Sequence, residues 1–229
     1  MFCRASGFLL LIGRVSAGAS TSRPEDRLSL KILQTFNVCF SRIYHRVDIL
    51  SPLKLPRTGN AIIVCNHTSG LDPLLIQSAS RRLIVWMMAK EYYDVRGLGP
   101  FFRLIEAIPV DRGRPDRAAT RAALRALASG HVLGVFPEGR IETSRELLPF
   151  QSGAAVLAAR SGAPVYPAYL DGTQRGKEMA AAFAFRNRAT LRFGGQIPLT
   201  LQHAGRDQLE AATHAIESAV RQLSLLRPR

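Results

Sequence analysis

Short apolar runs alternate with segments of helical period through most of this chain, and no other feature limits the fold as tightly. Ala61–Cys65, Leu83–Ala89, Ala107–Val110, Val132–Phe136, Pro164–Leu170 and Ala189–Phe193 read as strands. Between and after them, Asp72–Ser80, Pro100–Leu104, Arg117–Ala128, Gln151–Ser161 and Asp207–Leu225 read as helices, with Gly130 and Gly162 closing two of them. Strands and helices taking turns predict an α/β fold with a largely parallel central sheet covered by helices. In such sheets chemistry collects beyond the carboxyl ends of the strands.

An amphipathic helix is expected ahead of the sheet, over residues 28–44. Leu28, Ile32, Leu33, Phe36, Phe40 and Ile43 fall at helical spacing, with Lys31, Gln34, Asn37 and Arg42 between them. Its apolar face either packs on the domain or lies at a bilayer interface, and the pattern leaves both open. Residues 1–27, with Ser, Thr, Gly and Pro from Ser16 to Pro24, are expected to be a flexible extension, and 28–229 to form one domain. No run reaches the roughly 18 to 20 apolar residues that a spanning helix needs.

The charge narrows the partners. Lys and Arg number 31 against 17 Asp and Glu, a net +14 that attracts polyanions such as anionic headgroups, phosphorylated substrates or nucleic acid. Aromatic residues make up 7% and do not interleave with arginines, so nucleic acid is not expected. Arg117, Arg121 and Arg125 recur along one helix face and read as a solvated face. Cys3, Cys39 and Cys65 are too far apart for a CxxC pair, which suggests neither a disulfide framework nor zinc. Cys65 reads as a buried strand residue rather than a nucleophile. The phosphate-binding patterns GxxxxGK[ST] and GxGxxG are absent, and so is the GxSxG elbow of serine acyl enzymes.

Directly after the first strand comes Asn66-His67-Thr68-Ser69-Gly70-Leu71-Asp72-Pro73. On a continuous strand His67 and Asp72 would lie about 17 Å apart, and on a continuous helix about 140° apart. A strand–turn–helix brings them together, with Gly70 permitting the turn, Asp72 as N-cap and Pro73 at the first helical position. A carboxylate bonded to one ring nitrogen fixes the tautomer, so the other nitrogen can take a proton from an alcohol. His45, His131, His203 and His214 have no such context.

Two further strand ends carry arginines. Ile108-Pro109-Val110-Asp111-Arg112-Gly113-Arg114 and Val135-Phe136-Pro137-Glu138-Gly139-Arg140 could clamp a phosphate from two neighbouring strands, with Glu138 positioning an arginine.

In this order, the segments from Ala61 to Gly172 resemble the lysophosphatidate acyltransferase branch of the glycerolipid acyltransferase family. His67 to Asp72 looks like its HxxxxD block, Ala107–Arg114 like the block whose arginine contacts phosphate, and Phe136–Gly139 like the third block. Ala163-Pro164-Val165-Tyr166-Pro167 looks like the fourth, which helps line the acyl site. One departure is Glu138-Gly139-Arg140-Ile141, where the family commonly has Glu-Gly-Thr-Arg; this form is similar to some lysophosphatidylethanolamine acyltransferases and leaves the headgroup open.

The resemblance implies His67 and Asp72 as catalytic residues, and Arg112, Glu138, Gly139, Arg140, Pro164, Val165 and Pro167 as substrate-binding. It implies an O-acyltransferase that needs no cofactor beyond acyl-CoA or acyl carrier protein as co-substrate. The acceptor would be a lysophospholipid, and the setting an anionic membrane surface at the cytoplasmic face. Backbone amides near Gly139 or the Asp72 helix start are the expected oxyanion donors. The rival reading is a lipid- or nucleic-acid-binding module on an inactive scaffold; acylation of glycerol 3-phosphate or an amino-lipid is a rival within the family.

Overall fold

The structure is a computed structural model that describes residues 28–113, 116–143, 146–173, 179–199, 201 and 204–226. The expected extension at 1–27, Arg114 and His203 lie outside the described residues. The strands are β1 (Asp48–Ser51), β2 (Ala61–Cys65), β3 (Ile84–Ala89), β4 (Ile108–Val110), β5 (Val132–Val135), β6 (Val165–Asp171) and β7 (Thr190–Phe193). The helices are α1 (Leu28–Cys39), α2 (Asp72–Gln77), α3 (Lys90–Tyr93), α4 (Gly99–Leu104), α5 (Arg117–Ala128), α6 (Gly153–Ser161), α7 (Met179–Ala184) and α8 (Arg206–Leu225). One sheet runs β1-β7-β6-β2-β5-β3-β4. Every pairing is parallel except β6 with β7, so the sheet is largely parallel as the alternation predicts.

Alternate residues of each strand serve opposite faces of the sheet. Ile62, Val64, Val85 and Leu133 pack with Ala123 and Leu127 of α5, Leu157 of α6 and Ile216 of α8. Ile63, Cys65 and Trp86 pack on the other face with Leu75 and Ile76 of α2 and Ala182 of α7. The ends of α5 follow from local chemistry. The Asp116 carboxylate accepts from the amides of Ala118 and Ala119, and Gly130 turns the chain out at φ +81°. Gly162 closes α6 in the left-handed conformation.

The N-terminal helix sits on the α2 side, with Leu30 and Asn37 buried and Leu33 and Gln34 half-buried. The Gln34 side-chain amide donates to the carbonyls of Gln77 and Ser80, and that of Asn37 to Leu74. Leu28, Ile32, Phe36 and Ile43 are 62–75% exposed, the last on a π-helical turn (Phe40–Tyr44) that continues α1. Phe40 bridges this surface to α7 by stacking on Phe183, itself partly exposed. Among the described residues no helix is long and apolar enough to cross a membrane.

Candidate active site

At the carboxyl end of β2 the chain turns sharply into α2. His67 Nδ1 lies 3.0 Å from Asp72 Oδ2; a carboxylate only accepts, so Nδ1 carries the proton and donates it. Asp72 is fully buried, whereas His67 is 17% exposed. The same Oδ2 accepts from the Thr68 amide at 2.6 Å and the Ser69 amide at 2.9 Å. These amides belong to the loop before the helix. Asp72 therefore does not cap α2, as the sequence suggested: Leu71 holds the cap position without a side-chain bond, and Asp72 is the first helical residue. Its carboxylate turns back to gather the loop around His67.

Four other groups fix the imidazole. Its ring stacks on Phe136 with centroids 4.0 Å apart and planes 13° apart, and Phe136 stacks in turn on Trp86 at 4.8 Å. Trp86 can lie flat across β5 because its partner in register is Gly134, where a β-carbon would collide with the indole. The backbone of His67 is held on both sides. Its amide donates to Glu138 Oε1 at 3.3 Å, and its carbonyl accepts from the Glu142 amide at 2.7 Å. Asn66 ties the loop to β6, with its side chain donating to the Leu170 carbonyl and accepting from the Leu170 amide. With Nδ1 committed, Nε2 is the nitrogen left for a substrate proton.

Glu138 thus meets the His67 amide rather than an arginine. It is buried, and its carboxyl is pushed up to about 7, chiefly by burial. The His67 amide pulls the other way, and the Glu142 carboxylate adds to the rise. Burial, with the charges of Asp72 and Glu138, pushes the Cys65 thiol well up, so Cys65 stays protonated in the core as its strand position suggested.

His67 opens onto a cleft of about 1130 Å³ that passes the carboxyl ends of β2, β3, β4 and β5. Its walls are mostly apolar: Leu30, Leu33, Phe36 and Phe40 from the N-terminal helix, Trp86 and Met87 from β3, Ala119 from α5, and Ala154 and Leu157 from α6. That volume slightly exceeds the roughly 300–1,000 Å³ of drug-sized ligand sites. Arg112 reaches it from the loop after β4 and is 45% exposed, with Nη2 3.9 Å from Glu91 Oε2.

Other sequence-predicted site residues sit elsewhere. Arg140 does not line the cleft; it borders a small neighbouring hollow of about 280 Å³ with Glu138, Gly139 and Gln151. The strands that deliver Arg112 and Arg140, β4 and β5, are not neighbours, because β3 lies between them. The expected two-arginine clamp from adjacent strand ends is therefore not formed. Gly139 lines both spaces and takes φ +71°, which only glycine adopts freely. Pro164, Val165 and Pro167 belong to β6 and its approach, and none of them lines the cleft. Of the region expected to supply oxyanion amides, Gly139 N–H donates to the Phe136 carbonyl and Asp72 N–H to the Ser69 carbonyl.

The sequence reading missed Phe136, Trp86, Gly134 and Asn66. For Asn66 a signal existed, a polar residue between an apolar strand and the histidine; for the stacked aromatics none did, because they meet across strands.

Comparison with known proteins follows the same residues. The acyltransferase family matches residues 46–171. The chain is 30% identical over 134 residues to the 1-acyl-sn-glycerol-3-phosphate acyltransferase of Bacillus subtilis, covering 58% of this chain and 66% of that protein. It is 25% identical over 198 residues to the enzyme of the same name from Streptococcus pneumoniae, covering 85% and 70%. The chain thus spans about two thirds of the length of these two relatives. The crystal structure of the 1-acyl-sn-glycerophosphate (LPA) acyltransferase, PlsC, from Thermotoga maritima shares the fold at TM-score 0.66 and 20% identity, covering 87% of this chain and 81% of that one.

Proposed function

The chain belongs to the acyltransferase family, and on that premise we propose that it moves a fatty acyl group from a thioester donor onto the free hydroxyl of 1-acylglycerol 3-phosphate, giving phosphatidate. The carrying observation is the buried Asp72 carboxylate bonded to His67 Nδ1 at the rim of an apolar cleft. His67 Nε2 removes the proton from the acceptor hydroxyl, and Asp72 stabilises the imidazolium that forms. The oxygen attacks the thioester carbonyl. Collapse of the tetrahedral intermediate breaks the C–S bond, and the leaving thiolate takes the proton back from His67. The ester forms, a thiol departs, and His67 is regenerated.

Arg112 holds the acceptor phosphate. From β2 to β4 is three strand spacings, about 14 Å. An imidazole and a guanidinium reaching inward, with a glycerol phosphate between them, fill that gap. Such two-point holding places the hydroxyl at the base.

The acceptor resides in a bilayer, and the outward apolar face of α1 supplies the attachment. Exposed Ile32, Phe36 and Phe183 enter the interface, Arg42 and Arg186 meet anionic headgroups, and the lysolipid slides into the cleft that α1 borders. The test is thiol release from palmitoyl-CoA and from a palmitoyl carrier protein, with 1-acylglycerol 3-phosphate, lysophosphatidylethanolamine or glycerol 3-phosphate as acceptor. Release is expected to depend on the first. Release independent of acceptor, or with glycerol 3-phosphate alone, would refute the reading.

A further inference from the structure

The structure leaves a row of cations that acyl transfer in the cleft does not use. Arg117, Arg121 and Arg125 are exposed along one face of α5, at the four-residue spacing that stacks side chains on a helix. No side chain of the three has an ion pair or hydrogen bond among the described residues, and α5 itself contains no acidic residue. The arrangement works against the helix. Like charges four apart repel, and Arg117 sits in the first turn, where the helix dipole disfavours a cation.

Two placements indicate what the row faces. First, α5 packs on the sheet face opposite α2, so its arginines point away from the apolar α1 surface that would meet a bilayer. No large apolar side chain on α5 is exposed, which leaves a purely electrostatic surface open to water. Second, the row begins at the catalytic cleft. The first turn of α5 lines it through Ala119 and Thr120, and Arg112 lies on the loop just before. From Arg117 to Arg125 the row runs about 12 Å along the helix.

We propose that the α5 arginine row is the docking surface for an acidic acyl carrier protein that delivers the acyl thioester to the cleft from the aqueous side. An extended row along a helix axis complements a protein surface carrying spaced carboxylates. The phosphates of a CoA would instead cluster near the cleft mouth. The proposal rests on the acyl-transfer reading above and selects one of its two donors.

The test compares wild-type enzyme with Arg121→Glu/Arg125→Glu, using lysophosphatidate vesicles and either palmitoyl carrier protein or palmitoyl-CoA. Charge reversal is expected to lower kcat/KM for the carrier protein on the order of tenfold, with little change in kcat. The salt dependence with that donor should flatten, the CoA reaction should be unaffected, and Arg121→Lys/Arg125→Lys should retain the carrier reaction. The unaffected CoA reaction serves as the folding control. An equal loss with both donors, no loss with either, or a loss that follows vesicle release in flotation would overturn the proposal. So would a wild-type enzyme that uses CoA but not the carrier protein. If wild-type enzyme uses neither donor, the acyl-transfer reading itself fails and the docking proposal falls with it.

Discussion

Helices α1 and α5 each have 12 residues, but α5 packs on one face of the sheet whereas α1 packs on α2, which covers the other. α5 is the ordinary case: Ala119, Ala123 and Leu127 are buried and arginines meet water. α1 departs from it, burying Asn37 beside Leu30 and exposing Ile32 and Phe36. Polar groups can sit inward there because they find fixed acceptors, the carbonyls of Leu74, Gln77 and Ser80 around α2. A helical period tells which residues share a face. Which face turns inward depends on what the neighbouring element offers, and here that neighbour offers carbonyls.

Several measurements would break or sharpen this contrast. The largest effect is expected for Ile32→Asp with Phe36→Asp, which should weaken binding to anionic vesicles by a factor on the order of 10³ through lost apolar burial. Unchanged flotation would leave the exposed apolar face without a role. Next, Leu127→Ala on α5 should lower stability by about 2–4 kcal/mol, whereas Phe36→Ala on α1, without vesicles, should change it by less than about 0.5 kcal/mol. Equal losses in urea unfolding would show that α1 packs in the ordinary sense. Asn37→Ala should be intermediate, losing about 1 kcal/mol with its bond to Leu74.

A separate effect belongs to pH and comes from neither helix. Glu138 titrates near 7 in the folded chain against an ordinary 4.5, so between those values the folded state binds more protons than the unfolded one. Raising pH through that window therefore removes stability. Glu138→Gln keeps an acceptor for the His67 amide while abolishing the titration. It should flatten the decline between pH 4.5 and 7 and leave the variant more stable than wild type at pH 8. A decline of the same slope in the variant would assign the effect to another group.

Much of this was legible in the sequence. The six strands marked by apolar runs all form, and α5 has the bounds its period and Gly130 predict. β1 escaped notice because Asp48–Ser51 is a short edge strand with only half its side chains partly covered. α3 and α7, at 4 and 6 residues, are too short to show a period. In the site, the His67–Asp72 contact could be read because both residues lie on one turn. The direction of the carboxylate could not, since a helix start and the loop before it offer competing amides. Arg112 and Arg140 were expected at neighbouring strand ends because strand order, which inserts β3 between their strands, is not written locally. The Gly134–Trp86–Phe136 support beneath the imidazole joins two strands, and its register appears only once the sheet is assembled.

Kinetics of His67→Ala reach the catalytic assignment most directly. With palmitoyl-CoA and lysophosphatidate in vesicles, turnover should fall on the order of 10³-fold. Circular dichroism and vesicle flotation should match wild type, because the ring is partly exposed and the loop stays tied by Asn66 and by Asp72. A His67→Ala protein that is folded, bound to vesicles and still transfers acyl groups at near wild-type rate would contradict the account.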